Sequence, residues 1–329
     1  MRLSEVEFEE WVRARLGAVE DGLRQCLTAD SDFVTETARH LALAGGKRFR
    51  PLLVLGAAGL GFDLDGSVDE TAAQRAAIVV ELTHVASLYH DDVMDEADLR
   101  RGALSANKRW ANSIAILTGD FIFARASRVG AALGPDYVAF QADTFARLVT
   151  GQIAELVGPA PGADAVAHHL QVVADKTASL IAASARFGGM AAGADAAQLA
   201  ALTRFGERLG VVFQLSDDLI DIASDSPSST GKSPGADLRE GVPTLATLLV
   251  QAWARPEDAR LLELLAAPVP PADLPEALAL VRAHPAVAEV RSRIAAGAAA
   301  AAAELDVLPD GPARRSLAAL CDLAVTRSA

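Results

Sequence analysis

Aromatic residues and cysteines are scarce in this 329-residue chain, and it carries no surplus of basic charge. Only 5% of its residues are Phe, Trp or Tyr. The two cysteines, Cys26 and Cys321, are far apart and have no ligand-like spacing, which argues against a disulfide framework or a thiolate metal site. A net charge of −13 with no basic stripe argues against a nucleic-acid partner.

Long uninterrupted apolar runs are also missing, so the sequence predicts no transmembrane segment. Residues 1–10 carry four Glu and no apolar core, which predicts no signal peptide. Hydrophobic residues nevertheless make up 51% of the chain. We therefore expect a cytoplasmic protein that buries this surface inside a helical bundle or at a subunit interface.

The apolar residues recur with a period of about 3.6 in long segments separated by Gly and Pro, whereas alternating strand patterns are absent. This pattern predicts an all-α fold, and the lack of a dividing linker predicts a single large helical bundle over residues 1–329. A loop is expected at residues 224–241, which are rich in Ser, Pro, Gly and Asp. The clearest predicted helical segments are residues 68–90, 106–133, 136–157 and 197–223.

The pattern DDxxD occurs twice, at residues 91–95 and 217–221. On a helix its first and last Asp share one face, where carboxylates repel unless a cation lies between them. Magnesium suits such oxygen ligands and usually keeps waters or substrate phosphates as well. Exposed acids at a helix end are the alternative, but the duplication favours two aspartate-rich helices that hold a diphosphate through metal.

Basic residues that suit a diphosphate occur in clusters. Lys47 and Arg50 lie in a Gly- and Pro-bounded turn before a predicted helix N-terminus, which favours anions. Arg100 and Arg101 follow the first pentad, and guanidinium forks bind phosphate at two points. A charged surface turn and a surface ion-pair network are the respective alternatives. Lys176, in an Ala-rich helix, must either snorkel or face a polar cavity.

Together these residues resemble, in order, the motifs of the trans-isoprenyl diphosphate synthases, the polyprenyl synthetase family. The resemblance covers nearly the whole chain and implies an all-α fold with a central apolar tunnel. One departure is Val242, where many members have Lys. The matching segments are Gly45–Pro51, Tyr89–Gly102, Gly119–Asp120, Gly151–Gln152, Lys176–Thr177, Phe213–Asp221 and residues 231–238.

The resemblance implies a prenyltransferase that condenses isopentenyl diphosphate with an allylic diphosphate, using three Mg²⁺ ions. The implied metal ligands are Asp91, Asp92, Asp95, Asp217, Asp218 and Asp221. The allylic diphosphate would be held by Arg100, Lys176 and Lys232, and isopentenyl diphosphate by Lys47, Arg50, His84 and Arg101. Thr177 and Gln214 complete the substrate-binding set, whose catalytic members are Asp91, Asp92, Asp95, Arg100, Lys176, Asp217 and Asp218.

Three alternatives remain at this point: a short-chain farnesyl or geranylgeranyl diphosphate synthase, a class I terpene cyclase and a regulatory subunit of a heteromeric synthase. The second DDxxD and the Lys47/Arg50 cluster argue against the cyclase, and two intact pentads argue against the regulatory subunit. The family also implies a homodimer, with residues 106–133 and 136–157 as candidate interface segments.

Product length depends in this interpretation on the helix before the first pentad. Ala86 and Ser87, five and four residues before Asp91, are both small and leave the tunnel open. Phe145 is a candidate deeper stop, although ordinary core packing is an equal alternative. From the helical rise we expect an all-trans product of medium-to-long chain, roughly 30 to 50 carbons.

Overall fold

The computed structural model describes residues 3–64, 66–223 and 234–327. It confirms the all-α prediction, because helices make up nearly all of the regular structure in these ranges. In chain order the helices are α1 (Glu5–Cys26), α2 (Asp32–Leu43), α3 (Phe49–Ala58), α4 (Leu60–Leu64), α5 (Glu70–Met94), α6 (Ala106–Trp110), α7 (Asn112–Ala131), α8 (Pro135–Val157), α9 (Ala165–Val173), α10 (Ser179–Ala191), α11 (Ala196–Ala223), α12 (Ala236–Glu240), α13 (Leu245–Trp253), α14 (Ala259–Leu264), α15 (Leu274–Ala283), α16 (Pro285–Glu304) and α17 (Pro312–Arg327). A π-helical turn covers Ala174–Ala178, and 3₁₀ turns cover Pro256–Asp258 and Leu305–Val307.

Local signals in the sequence account for several helix ends. The Ser4 hydroxyl accepts a hydrogen bond from the Glu7 amide while the Glu7 carboxylate accepts one from the Ser4 amide, a capping box at the start of α1. The Asp69 carboxylate caps α5 by accepting from the Ala72 amide. Because capping oxygens satisfy amides that lack a helical partner, these residues fix where the helices begin.

Two predicted boundaries were wrong. The single helix expected over residues 106–133 is divided into α6 and α7 at Ala111, whose φ of 75° is incompatible with a right-handed helix. The loop expected over residues 224–241 contains helix α12, while residues 224–233 lie outside the described part of the chain. Neither the composition of this segment nor its hydrophobic period predicts that one residue within it has a left-handed backbone conformation.

A small hairpin also interrupts the helices. Strands β1 (Leu99–Arg100) and β2 (Ala103–Leu104) pair antiparallel, with Leu99 opposite Leu104. The two turn residues, Arg101 and Gly102, have φ values of 53° and 77°, as a two-residue hairpin turn requires. Strands of two residues are too short to give an alternating pattern, so the sequence did not indicate them.

The described residues divide into two compact units. Unit 1 comprises Met1–Ala146, Leu180–Gly206 and Glu304–Leu317, and unit 2 comprises Arg147–Ser179, Glu207–Ala303 and Ala318–Ala329. The chain passes repeatedly from one unit to the other. That a single domain covers residues 1–329 stays a prediction.

Unit 1 is built around α5, which packs along α7. Their approach is close at Gly119, where a Cβ atom would lie 2.3 Å from Nε2 of His90. A buried apolar cluster of Leu55, Ala58 and Ala73 lies beneath the α1 side chains that cover it. In unit 2, helices α12, α14 and α15 share a separate cluster centred on Leu238, Leu264, Val269 and Ala277.

No helix within the described residues combines the length and apolarity needed to cross a bilayer.

Candidate active site

The first pentad forms the C-terminal end of α5, in unit 1. Its three carboxylates differ in exposure: Asp91 is half-buried, Asp92 is fully buried, and the Asp95 side chain is 49% exposed. Asp91 and Asp95 are one turn apart, and the Asp95 amide donates to the Asp91 carbonyl. The two ends of the pentad are therefore the carboxylates most available to a ligand.

Arg100 ties the hairpin to this pentad. Its Nε donates to Oδ1 of Asp92 at 2.6 Å, and its Nη2 lies 3.7 Å from Oδ2 of Asp95. Burial raises the pKa of Asp92, and the Arg100 charge opposes that rise. The ion pairing considered as an alternative for Arg100 is thus present, and it leaves the guanidinium beside the pentad, where it suits a phosphate.

A cluster of cations surrounds His84, two helical turns before the pentad. The charges of Arg50, in α3, and of Arg100 and Arg101, in the hairpin, all act on it. Burial and these like charges hold the pKa of His84 well below its usual range, so its imidazole is neutral at neutral pH. Burial also lowers the pKa of Arg50 to about 10. Desolvated guanidinium groups of this kind strongly favour an anionic ligand.

Arg48 and Glu81 support this cluster, and sequence reasoning missed both. Arg48 is buried with φ 46°, and its Nη1 donates to Oε1 of Glu81 at 2.7 Å. It also pairs with Glu20 and donates to the Ala42 carbonyl at 2.6 Å. Nη2 of Arg101 lies 3.8 Å from the same Glu81 oxygen. The position of Glu81 within the apolar run of α5 could have indicated this buried ion pair from the sequence, because a buried carboxylate needs a partner.

The second pentad lies near the C-terminal end of α11, in unit 2. Thr177 Oγ1 donates to Oε1 of Gln214 at 3.2 Å, and Nε2 of Gln214 donates to Oδ1 of Asp218 at 2.7 Å. Asp221 accepts from the backbone amides of Ala236 and Asp237 at 3.3 and 3.2 Å. Gln214 therefore lies on the same face of α11 as Asp218, one turn before it, and these contacts orient two of the pentad carboxylates.

Lys176 belongs to the π-helical turn of unit 2, a distortion that often marks functional sites. Its Nζ pairs with the Glu155 carboxylate of α8, a partner that sequence reasoning missed. A Cβ atom on Gly151 would lie 2.5 Å from the Lys176 backbone nitrogen. Glycine is therefore required for α8 to approach the turn, which explains the Gly-Gln motif.

Arg147 and Asp175 hold the π-helical turn from its other side. Nε of Arg147 donates to Oδ1 of Asp175 at 2.8 Å, and its Nη1 donates to Oε1 of Glu207 at 2.6 Å. Gln171 donates to the remaining oxygen of Asp175 at 2.7 Å. These charge-assisted bonds fix the residue directly before Lys176.

The residues assigned to product length all lie in unit 1. Ala86 and Ser87 are buried in α5. Phe145 packs against Phe123, with ring centroids 4.0 Å apart. This contact is what ordinary core packing requires, and the tunnel-stop role remains a prediction.

Asp217, the first residue of the second pentad, is half-buried in α11. Lys47 is exposed in the turn before α3, and Val242 is 41% exposed. Lys232 lies outside the described residues.

The pentads suit a hard divalent cation that brings its own phosphate ligands. Within residues 3–64, 66–223 and 234–327, no three His, Cys, Asp or Glu side chains are grouped so as to hold a metal ion by themselves. Magnesium is commonly bound by one or two carboxylates together with substrate phosphates and water. Asp91 and Asp95, one turn apart on α5, meet that requirement.

Comparison with known proteins agrees with this chemistry. Residues 31–281 match the sequence profile of the family described as polyprenyl synthetase. The nonaprenyl diphosphate synthase of Mycobacterium tuberculosis is 47% identical over 99% of this chain and 96% of that protein. The dimethylallyltranstransferase of the same organism is 40% identical over 98% of this chain and 97% of that protein.

A solved structure of a polyprenyl synthase has a similar fold along nearly the whole chain. The crystal structure of polyprenyl synthase from Caulobacter crescentus CB15, complexed with calcium and isoprenyl diphosphate, superposes with a TM-score of 0.87. It is 32% identical, and the match covers 99% of this chain and 98% of that one.

Proposed function

The chain belongs to the polyprenyl synthetase family, and from that membership we propose that it elongates an allylic diphosphate with isopentenyl diphosphate. The protein is a prenyltransferase of the trans-polyprenyl diphosphate synthase type. The observation that supports this most strongly is the cation cluster of Arg50, Arg100 and Arg101 around neutral His84, which lies about two helical turns before Asp91 and three before Asp95. The arginines suit the binding of a diphosphate, and the carboxylates suit the binding of its metal ions.

The proposed metal is Mg²⁺, three ions per active site, held by aspartates of the two pentads. When bound, magnesium supplies positive charge that stabilises the departing diphosphate. Asp91, Asp95 and Asp217 are the proposed direct ligands. Asp92, which is fully buried against Arg100, better suits the task of orienting that guanidinium.

The remaining residues bind and orient the two substrates. Arg50, Arg101 and Lys47 hold the diphosphate of isopentenyl diphosphate, and neutral His84 supplies a hydrogen-bonding group without further charge. Lys176 holds the allylic diphosphate. To do so, its ammonium group must break its ion pair with Glu155. Opposite charges held in place before reaction lower the barrier to ionisation without reorganising water.

In the reaction, the bond between the allylic carbon and its diphosphate oxygen breaks, and the isopentenyl double bond attacks the resulting cation. A proton then leaves the condensed product, with the departing diphosphate as the proposed base. Water competes for the cation, so orientation of the double bond and exclusion of solvent are the main tasks of the apolar helices.

We propose a medium-to-long all-trans product, in which Ala86 and Ser87 leave room for a growing chain. The greater identity to a nonaprenyl than to a dimethylallyl enzyme supports this over a short-chain synthase. A homodimer is also proposed. Helix α8 exposes Ile153, Leu156 and Val157 by 55%, 61% and 78%, an apolar stripe that a monomer rarely leaves in water.

Purified protein incubated with labelled isopentenyl diphosphate, each allylic primer and Mg²⁺ tests the reaction directly. We expect polyprenyl products of medium-to-long chain, and near-complete loss of turnover in Asp91→Ala and Asp217→Ala. Glu10→Ala, at an exposed position of α1, is the matched control and should keep wild-type turnover.

The outcomes separate the alternatives. Cyclic hydrocarbon products would indicate a terpene cyclase, and inactivity of the pure wild-type protein would indicate a regulatory subunit. A product that stops at fifteen or twenty carbons would indicate a short-chain synthase. Light scattering at micromolar concentration tests the homodimer, and a monomer would contradict it; Ile153→Asp should shift the dimer towards monomer.

A further inference from the structure

A second basic site lies in unit 1, away from the first pentad. A cavity of about 570 Å³ opens between α1, α5 and α7. Its charged lining residues are Arg75, Arg125 and Arg128, and among the described residues no Asp or Glu lines it. Arg75 precedes Asp91 by sixteen residues on α5, which is about 24 Å along the helix axis. None of the residues that line the cavity belongs to the pentad or to the cluster around His84.

The guanidinium groups of this cavity are poorly compensated. Within the part of the chain that the structure describes, Arg75 and Arg128 make no ion pair or hydrogen bond. Nη2 of Arg125 donates to the Thr28 carbonyl at 3.0 Å, but its Nε is buried without an acceptor. Arg75 and Arg128 are exposed and Arg125 is half-buried, so solvent screens part of their mutual repulsion, and a bound anion would remove more of it. Arg125 also lies over the Phe121 ring, 4.7 Å from its centroid, but within the described residues none of the three guanidinium groups has a carboxylate partner, although the chain has a net charge of −13.

The rest of the lining suits a ligand with a polar head and an apolar portion. Gln25 and Thr71 add hydrogen-bonding groups at the rim, and Ile78, Val129 and Ala132 form an apolar wall. The volume lies within the range of about 300 to 1,000 Å³ that is usual for small-molecule sites. Guanidinium forks bind phosphate and carboxylate oxygens at two points, and three positive charges balance a multiply charged phosphate or diphosphate more fully than a single carboxylate.

We propose that this cavity is a second anion site that binds a phosphate-bearing small molecule, with its phosphate oxygens on Arg75, Arg125 and Arg128. The proposal does not depend on the reaction proposed above. Free inorganic diphosphate and the head group of an isoprenyl diphosphate share the required chemistry. The apolar wall favours the tailed molecule of the two.

Cys26 provides a local probe, because it lines the cavity and is half-buried. Cys321 is an internal control, because it is buried in unit 2 and lines a different cavity. The rate of maleimide labelling at each thiol would be measured by mass spectrometry on the full chain. EDTA is included to remove metal-dependent binding, and the additions are inorganic phosphate, inorganic diphosphate or farnesyl diphosphate.

Diphosphate should slow labelling of Cys26 at least fivefold and leave Cys321 unchanged, and farnesyl diphosphate should do so at a lower concentration. The double variant Arg75→Gln/Arg128→Gln should abolish this protection. Arg13→Gln removes an exposed guanidinium of α1 that does not line the cavity, and it should keep the protection. Each variant is compared with itself without ligand, since burial raises the pKa of Cys26 and the charge of Arg128 opposes that rise.

The site is refuted by unchanged Cys26 labelling at millimolar diphosphate and farnesyl diphosphate. Equal protection of Cys26 and Cys321, or protection that survives the double variant, also overturns it, because the effect then comes from binding elsewhere. Protection by diphosphate alone identifies the free anion as the ligand, and protection by farnesyl diphosphate alone identifies the tailed molecule.

Discussion

Neutral His84 gives the fold a specific dependence on pH. Burial is the largest cause of its lowered pKa, and the charges of Arg50, Arg101, Arg100 and Arg48 act in the same direction. In the unfolded chain the imidazole binds a proton near its ordinary pKa of 6.5. The folded protein does not bind that proton until the pH is much lower. Its contribution to stability is therefore fully present above the unfolded pKa and is lost as the pH falls below it.

The size of this change in stability follows from the one proton that His84 binds in the unfolded chain. Each unit of pH below the unfolded pKa lowers the free energy of unfolding by up to about 1.4 kcal/mol. Integrated from about pH 7.5 to about pH 5, the loss is up to about 2 kcal/mol. Glu81, the buried acid of this cluster, pairs with Arg48 at 2.7 Å and lies 3.8 Å from Nη2 of Arg101.

Urea unfolding of wild type and His84→Asn, followed by circular dichroism over this pH range, measures the effect. The stability difference between the two should shift by about 2 kcal/mol in favour of the variant on acidification. Nuclear magnetic resonance of the imidazole protons should show His84 neutral across the range. Parallel pH profiles for the two proteins, or protonation of His84 near its ordinary pKa, would refute the reasoning.

Three further predictions test the site. Gly151→Ala places a Cβ atom 2.5 Å from the Lys176 backbone nitrogen. This variant should have a free energy of unfolding of unit 2 that is lower by about 1–3 kcal/mol, and a lower kcat. Gly17→Ala is the control, because no neighbouring atom lies within 4 Å of the added Cβ. Lys47→Ala should raise KM mainly for isopentenyl diphosphate, and Lys176→Ala should act mainly on the allylic substrate. Ala86→Phe should shorten the product sharply, as sizing by thin-layer chromatography would show.

Specific results would contradict these three predictions. A fully active and stable Gly151→Ala would mean that α8 and the π-helical turn can separate freely. Equal effects of the two lysine variants on both substrates would remove the proposed division of the diphosphate sites. An unchanged product distribution in Ala86→Phe would show that this face of α5 does not line the growing chain, and Phe145→Ala would then not be expected to lengthen it.

The local contacts of the candidate site were only partly predictable. The four-residue spacing of Asp91 and Asp95 is a property of any helix, so their shared face followed from the sequence alone. The pairing of Gln214 with Asp218 followed for the same reason. By contrast, the partner of Lys176 is Glu155, twenty-one residues away, and no local rule selects it.

The sequence by itself determined the helical class, the carboxylate and basic motifs and the family, because helical period and motif order are carried by neighbouring residues. Only the tertiary structure decided which cations are buried together, since the Arg50–Arg101–His84 cluster joins three distant segments through packing. The left-handed Arg48 and Ala111 and the π-helical turn are likewise backbone states that packing imposes. Desolvation depends on the complete fold, and it is desolvation that keeps His84 neutral among four arginines.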